Sequence, residues 1–173
     1  CASPVGVGDL WIAAPGSDPV YGFSATTGCQ AWSSHLGEAV DATRQKCFPF
    51  PKIGITGTPA IDPAAGLVYV VAYLDAGVHR IFAIEIGSGK TRYQRDIDPA
   101  GSEPFSQLTR AALTLANGRV YLAFGGRAGD CGNYHGYVLG LAPDLAAAID
   151  HFTLPSVRQR GIGTPAALTA MPP

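Results

Sequence analysis

The chain carries little charge and no long apolar run. Only 14% of its 173 residues are charged, and the formal net charge at pH 7 is -1. Because no group of Lys and Arg residues is large enough to follow a phosphate backbone, we exclude nucleic acid as a partner. No segment approaches the roughly 18 consecutive apolar residues of a membrane-spanning helix, and no basic stretch precedes an apolar one at the start. We therefore expect neither a membrane span nor a signal peptide in this sequence.

Metal-ligand spacing is also absent from the sequence. The four cysteines include no Cys-x-x-Cys pair and no Cys/His cluster, so we predict no metal site. Turn-forming residues, by contrast, are abundant, with 22 Gly and 14 Pro. This composition argues against long helices and favours short strands joined by tight turns.

Residues 54–95 show the pattern of one antiparallel meander. Turn signals at 62–66, 75–77 and 87–89 separate four segments that are rich in β-branched and aromatic residues. We predict strands near 58–61, 67–73, 79–86 and 90–95. The third of these is apolar on both faces, which indicates that the sheet is covered on each side.

The start of this unit recurs along the chain. A small hydroxyl residue followed by Pro occurs at Ser3-Pro4, Thr58-Pro59 and Thr164-Pro165, with spacings of 55 and 106 residues. The second spacing is about twice the first, so a further copy is expected near residue 111. Asn117-Gly118, flanked there by apolar residues, is a strong hairpin signal. A period of 50 to 55 residues is typical of propellers and similar arrays of stacked sheets.

The repeat predicts an all-β fold, a partial β-propeller of about three four-stranded antiparallel blades plus the first strand of a fourth. We place the blades at about 1–36, 54–97 and 109–153 and the start of the next blade at 161–171. All belong to one predicted domain spanning residues 1–173.

Two of the predicted turns between third and fourth strands carry a motif. Residues 24–32 end in Thr27-Gly28, three further residues and Trp32, and residues 83–93 place Gly89 and Tyr93 at the matching positions. This resembles the Ala-x-Asp-x-x-Thr-Gly-x-x-x-Trp repeat of quinoprotein β-propellers, the pyrroloquinoline-quinone-like repeat. The resemblance implies that Gly28, Trp32, Gly89 and Tyr93 dock neighbouring blades, with a tight turn at Gly and a flat aromatic on the next blade. The third blade lacks the Gly.

Other stretches are similar to a secreted bacterial group within the same superfamily, among them residues 54–59, 110–113, 123–126 and 129–136. The resemblance implies a parent ring of seven or eight blades, so that the partners of this chain are the remaining blades or another copy of itself. It also implies an extracellular or periplasmic location, and it places Cys1 inside a first strand.

The propeller topology suggests a disulfide. Cys47 lies between predicted blades, Cys131 lies between a second and a third strand, and both connections open on the same face of a propeller. We predict a Cys47 to Cys131 bridge, with two separate thiols as the alternative. Cys29 belongs to a turn at the opposite end.

The glycine-rich loop 125–136 carries the most chemical groups. Arg127, Asp130, Tyr134 and His135 are candidates for binding a small polar ligand. The alternative is a loop whose polar groups satisfy one another. Arg110, which replaces the Pro of the repeat, suits either an anionic or carbonyl ligand or a buried ion pair. His79, His35 and His151 have no acidic or Ser partner at a recognisable spacing, so we assign them no role.

Two functions are consistent with these features. The first is a non-catalytic binding or scaffold module with no cofactor. The second is a fragment of a quinone-dependent alcohol or sugar dehydrogenase, in which pyrroloquinoline quinone and calcium would oxidise an alcohol. We prefer the first because the sequence has no adjacent Cys-Cys pair, no haem-attaching Cys-x-x-Cys-His and no loop Trp to serve as a cofactor floor.

Overall fold

The computed structural model describes residues 4–43, 51–127 and 132–155. Each of its three larger sheets is built from strands that follow one another along the chain and pair antiparallel. Blade one contains β1 (Val5–Val7), β2 (Leu10–Ala13), β3 (Val20–Ser24) and β4 (Gln30–Ser34). A small hairpin of β5 (Val40–Asp41) and β6 (Lys52–Ile53) then leads to the next blade.

Blade two contains β7 (Ala60–Asp62), β8 (Leu67–Leu74), β9 (Val78–Glu85) and β10 (Thr91–Asp96). A 3-10 turn at Pro104–Ser106 and β11 (Gln107–Leu108) precede blade three. Blade three contains β12 (Thr114–Ala116), β13 (Arg119–Gly126), β14 (Tyr137–Leu141) and β15 (Asp150–Thr153). β13 is long enough to pair with both β12 and β11.

Blade two is the middle layer of the stack. Every residue of β8 is buried because alternate side chains enter two different cores. Val68, Val70 and Ala72 pack toward blade one, whereas Leu67, Tyr69 and Val71 pack toward blade three. The near-continuous apolar run in the sequence therefore reflects a sheet that is covered on both faces.

The innermost segments of blades two and three approach closely at the repeat motif. A Cβ on Gly57 would lie 2.8 Å from the Ala111 carbonyl oxygen and 2.9 Å from that of Thr109. The hydroxyl of Thr56 donates to the Thr109 carbonyl at 2.7 Å. The glycine before Thr58 and Pro59 is thus required by backbone proximity between blades.

The predicted fold class is confirmed: the described chain is a partial β-propeller of three antiparallel blades. Three details differ from the expectation. The linker hairpin β5–β6 and the short strand β11 were not predicted, and the last strand of blade three begins at Asp150 rather than near Ala147. The predicted start of a fourth blade at 161–171 lies outside the described residues.

Candidate functional site

The connections at one end of the blades carry most of the predicted ligand residues. We call this end the loop face; it comprises the links from second to third strands and those from one blade to the next. Of the candidates in loop 125–136, Arg127 and Tyr134 are buried and His135 is half-buried. Asp130 lies outside the described residues, as do Cys47 and Cys131 of the predicted disulfide.

Arg127 is held between two aromatic rings. Its guanidinium carbon lies 4.9 Å from the ring centroid of Tyr73, at the end of β8, and 4.7 Å from that of Phe105, in the 3-10 turn. Its Nε donates to the Gln107 carbonyl at 3.4 Å, and only 3% of the residue is exposed. Arg127 therefore joins blade two, the inter-blade link and blade three through cation–π contacts.

The charges in this contact influence one another. Burial lowers the pKa of Arg127. Tyr73 opposes this shift through the negative charge of its ionised phenol and through a hydrogen bond. Burial raises the pKa of Tyr73, and Arg127 acts in the opposite direction. An arginine side chain stays protonated at physiological pH, and the raised pKa of Tyr73 keeps its phenol neutral there.

Tyr134 and His135 are held by their own loop. The Tyr134 ring covers Gly126 so closely that a Cβ there would lie 2.3 Å from its Cζ. With the Gln107 amide oriented to satisfy both of its ends, it donates to the His135 carbonyl at 3.0 Å and accepts from the His135 N–H at 3.2 Å. The side chain of Tyr134 and the backbone of His135 therefore serve packing and loop structure.

Arg110 is exposed in the segment before β12. The carbonyls of its two neighbours, Thr109 and Ala111, are the groups that face Gly57. Of the two alternatives that the sequence left open, an exposed cation is the one compatible with a ligand from solution. Among the residues that the structure describes, Arg110 forms no ion pair.

A histidine that the sequence left without a role forms a buried pair. His79 Nδ1 lies 2.7 Å from Asp98 Oδ1, and the His79 backbone N–H donates to Asp98 Oδ2 at 2.9 Å. The imidazole stacks on Tyr73 at 4.3 Å and meets the edge of Phe124 at 5.1 Å. In the sequence, His79 has no acidic partner at a recognisable spacing, because β9 and Asp98, two residues after the end of β10, meet only in the folded sheet.

The environment of His79 favours its neutral form. Burial lowers the pKa of His79, and this effect exceeds the opposing effect of Asp98, while Arg127 adds to the lowering. His79 Nδ1–H therefore donates to the carboxylate, and Nε2 has no hydrogen-bond partner among the described residues. The arrangement connects Asp98, His79, Tyr73 and Arg127 in one buried group between blades two and three.

A second acidic–histidine group lies near the β5–β6 hairpin. The buried Asp18 carboxylate contacts His35 Nδ1 and accepts from the Leu36 N–H at 2.9 Å. Glu38 lies between His35 and Lys52, at 3.9 and 3.6 Å. Asp18, the acidic partner of His35, likewise stands at no recognisable spacing in the sequence.

The docking residues of the repeat meet across blades one and two. Trp32 lies between Gly22 of its own sheet and Gly89 of the next, where added Cβ atoms would approach its ring to 2.3 and 2.6 Å. Its Nε1 donates to the Ile86 carbonyl at 2.8 Å. Gly28, the matching turn residue of blade one, has nothing within 4 Å of its Cβ position.

The interface between blades two and three uses different groups. Tyr93 is half-buried against the core, while Arg95 donates to the Leu145 carbonyl at 3.0 Å and also to Ala147. Tyr69 donates its hydroxyl to the Pro143 carbonyl at 3.0 Å, and burial raises the pKa of Tyr69 to about 12. Hydrogen bonds from Tyr69 and Arg95 thus connect blades two and three, as the hydrogen bond from the Trp32 indole connects blades one and two.

The end opposite the loop face holds a cleft of about 380 Å³. Its polar groups are Asp62, Asn117 and Arg119, set among Ile61, Leu115 and Pro143. Arg119 is paired with Asp150 at 2.6 Å and donates to the Gly140 carbonyl at 3.0 Å. Asp62 caps the Ala65 N–H at 3.0 Å. The cleft is therefore polar, but two of its charged groups already have partners.

Among the described residues, no group of three or more His, Cys, Asp and Glu side chains is placed to hold a metal ion. A search of the same residues for a helix long and apolar enough to cross a membrane found none.

The stacked four-stranded sheets define the class of protein as a β-propeller, of which this chain provides a part. No protein-family model and no curated protein matches the sequence. Solved structures do match. Quinohemoprotein alcohol dehydrogenase from Comamonas testosteroni has a TM-score of 0.67 at 18% identity, over 88% of this chain and 20% of that one. The enzyme ADHIIG from Pseudomonas putida HK5 has a TM-score of 0.67 at 21% identity, over the same shares.

BamB from Moraxella catarrhalis is also similar, with a TM-score of 0.58 at 17% identity over 97% of this chain and 42% of that one. At these identities the likeness shows the fold alone. The chain spans about one fifth of the length of the two alcohol dehydrogenases.

Proposed function

We propose that the chain is a non-catalytic binding or scaffold module. This proposal rests on the position of Arg127, the cation of the predicted ligand loop. Its guanidinium lies between the rings of Tyr73 and Phe105. A buried guanidinium that holds two blades together is not free to bind or activate a substrate. The loop at residues 125–136 therefore stabilises the loop face as a rigid surface.

The ligand contacts of this module are the groups that remain accessible on the loop face. Arg110 is exposed and His135 is half-buried, whereas Arg127 and Tyr134 are buried. Asp130 lies outside the described residues and stays a candidate from the sequence. A cation and an imidazole favour a small polar ligand that carries a carboxylate or a carbonyl group.

This ligand class is tested by titrating the protein with citrate while recording backbone amide NMR spectra. Saturable shifts near residues 109–111 and 134–136 that disappear in Arg110→Gln are expected. Arg92→Gln, which removes an exposed arginine from blade two, is the matched control and retains the shifts. Equal shifts in both variants would remove Arg110 from the proposal.

The alternative function is that of a quinone-dependent dehydrogenase fragment, which rests on the resemblance of residues 24–32 and 83–93 to the quinoprotein repeat. Bound pyrroloquinoline quinone would accept the hydride of an alcohol, and calcium would hold the quinone in place. Calcium takes oxygen ligands, and the described residues include no group of three or more His, Cys, Asp and Glu side chains that could hold a metal ion. Because the described residues do not fit pyrroloquinoline quinone with its calcium ion, we derive no catalytic step.

The two functions are separated by adding calcium and pyrroloquinoline quinone to the folded protein. For a binding module we expect no saturable quinone binding by calorimetry and no dye reduction with alcohols. Binding at a defined stoichiometry together with alcohol-dependent dye reduction would replace the proposal by the alternative.

We further propose an extracellular or periplasmic location, with the remaining blades of a parent propeller or another copy of this chain as partners. The location rests on the resemblance to secreted propellers and on the predicted Cys47 to Cys131 bridge. A fusion to a reporter that is active only outside the cytoplasm tests it in the native host.

A further inference from the structure

The link between blades two and three lies across the loop face. We call residues 98–108 the strap; it comprises the segment that follows β10, the 3-10 turn and β11. At its first residue, the Asp98 carboxylate accepts from the backbone N–H of His79 at 2.9 Å and contacts the imidazole Nδ1 at 2.7 Å. At its other end, β11 pairs with the last two residues of β13. The strap therefore covers the loop-face ends of β9 and β13.

Arg127 attaches the glycine-rich loop to the strap. Its guanidinium carbon lies 4.7 Å from the centre of the Phe105 ring, and its Nε donates to the Gln107 carbonyl at 3.4 Å. The Gln107 side-chain amide in turn bonds to the backbone N–H and carbonyl of His135. Both described flanks of loop 125–136 are thus bound to the strap.

The surroundings of His79 suit a neutral imidazole. The residue is fully buried, and its Nε2 has no hydrogen-bond partner among the described residues. A proton added at Nε2 would therefore be a buried donor without an acceptor. It would also place a second cation beside the Tyr73 ring, because the imidazole stacks on that ring at 4.3 Å and Arg127 lies 4.9 Å from its centre.

The titratable groups that face His79 among the described residues come from three elements. They are Asp98 of the strap, Arg127 after β13 and the neutral phenol of Tyr73 on β8, while Phe124 of β13 meets the imidazole with an uncharged ring. Burial has the largest effect on the pKa of His79 and lowers it. Asp98 opposes this effect and Arg127 adds to it. The closed strap therefore disfavours the imidazolium.

We propose that the strap is a pH-sensitive closure, which is shut over a neutral His79 and is released when acid protonates that imidazole. In the open state the imidazole reaches water and takes up a proton with its ordinary affinity. The ratio of open to closed protein therefore grows by up to about tenfold for each pH unit below about 6.5. The blades themselves remain folded while the strap opens.

Opening also affects the ligand surface, a consequence that rests on the proposed function. Arg110 lies two residues after the end of the strap, and the backbone of His135 is bound to Gln107 within it. Release of the strap therefore separates the cation from the imidazole, and the surface loses its ligand in acid.

Hydrogen exchange of backbone amides between pH 7.5 and pH 5.0 tests the strap. The informative N–H groups are those of His79 and Gln107, which bond to Asp98 and to Pro104. Their protection factors, corrected for the intrinsic pH dependence of exchange, should fall below about pH 6.5 by up to about tenfold per pH unit. At pH 5.5 they should be at least tenfold lower than those of β3 in blade one, because the strap opens without unfolding of the blades.

His79→Gln should remove the pH dependence between pH 6.5 and pH 5.5. His151→Gln, which alters an exposed histidine of β15, is the matched control and should keep it. Imidazole ¹⁵N NMR of the natural protein requires no substitution and should show a neutral His79, protonated at Nδ1, wherever the strap amides are protected. An imidazolium at His79 in the protected protein, a pH dependence that persists in His79→Gln, or equal protection of strap and β3 amides would each overturn the proposal.

The coupling to the ligand surface is tested separately with citrate. At pH 5.5, saturating citrate should raise the protection of the strap amides at least threefold, because it binds the closed loop face. No rise, with the pH dependence of exchange intact, would overturn the proposed ligand surface and leave the strap standing. Loss of the pH dependence would overturn the strap whether or not citrate binds.

Discussion

Two separate features of the structure require a glycine at position 89. The residue has a φ of 72°, which disfavours any residue with a Cβ, and its α-carbon faces the Trp32 ring. Gly66 has nearly the same φ but faces open space. Substitutions at Gly89 and Gly66 therefore distinguish the cost of backbone strain from the cost of disturbed blade docking.

Gly89→Ala should lower the free energy of unfolding by about 3 kcal/mol, of which about 1 kcal/mol is left-handed strain and the rest is the clash with the indole. Gly66→Ala should lower it by about 1 kcal/mol, from strain alone. Urea unfolding followed by tryptophan fluorescence measures both. Equal losses would show that the indole does not depend on the bare turn.

His79 is the other residue whose surroundings determine its behaviour. It is fully buried, and burial lowers its pKa below the ordinary value despite the nearby Asp98 carboxylate. The unfolded chain therefore takes up a proton at a pH where the folded chain does not. Stability that is complete above about pH 6.5 must fall as the pH drops toward the lowered pKa.

We expect the free energy of unfolding to decrease below pH 6.5 with a slope of up to about 1.4 kcal/mol per pH unit from this group. In His79→Gln the slope between pH 6.5 and pH 5.5 should be reduced. His151→Gln, which alters an exposed histidine, is the control and should keep the slope. A natural protein that is more stable at pH 5.5 than at pH 7 would contradict the neutral buried imidazole.

At the scale of elements, the three turns between third and fourth strands show how one repeat is varied. Blades one and two use Gly28 and Gly89 at positive φ, whereas blade three uses Leu145 at a φ of 59°. Its turn is one residue shorter, since the Leu145 N–H bonds to Ala142, three residues earlier. The Leu145 side chain is buried in the core between blades two and three, and that burial offsets the backbone strain.

At the scale of elements, Arg127 joins blades two and three at the loop face. Arg127→Ala should lower the free energy of unfolding by about 3 kcal/mol, because two ring contacts are lost and a cavity remains. Arg127→Lys keeps the charge but not the planar stacking, and about 1 to 2 kcal/mol of loss is expected. Chemical denaturation measures both variants.

The control is Arg92→Ala. Arg92 lies over the Tyr93 ring at 5.5 Å but is exposed, so its removal should cost only about 0.5 kcal/mol. If Arg127→Ala were as mild as this control, Arg127 would not join the blades, and its assignment to ligand binding would have to be reconsidered.

For the whole molecule, the stack has two interfaces of different chemistry. Blades one and two meet through an indole on glycine, and blades two and three meet through Tyr69, Arg95 and the buried group around His79. Trp11 and Phe152, at 51% and 59% exposure, are the large apolar side chains that the described blades leave uncovered. They lie on the first and the third of the described blades.

The cysteines give a whole-molecule prediction. We expect Cys29 to react with maleimide in the native protein, because it is free and exposed, while Cys47 and Cys131 stay protected as a disulfide. Mass spectrometry of a non-reducing digest should show one peptide pair joined through residues 47 and 131. A bridge from Cys29 to Cys47, or native labelling of both Cys47 and Cys131, would contradict the predicted topology of the loop face.

Much of the fold was predictable because the signals are local. The strands of blade two were placed within two residues of their observed ends, since turn residues and apolar alternation act over a few positions. The β5–β6 hairpin was missed because its two strands have only two residues each and are separated by a long connection. The shortened turn at Leu145 was missed because nothing in a leucine predicts positive φ.

The sequence by itself determined the period of the repeat, the class of fold and the glycines and aromatics of the docking motif, because these depend on composition and on spacing along the chain. Only the tertiary structure decided which of these groups are free. It placed Arg127 between two rings, His79 against Asp98 and the Trp32 indole on the Gly89 turn. Those outcomes depend on contacts between residues that are tens of positions apart, and burial and pairing at that distance are set by how the sheets stack.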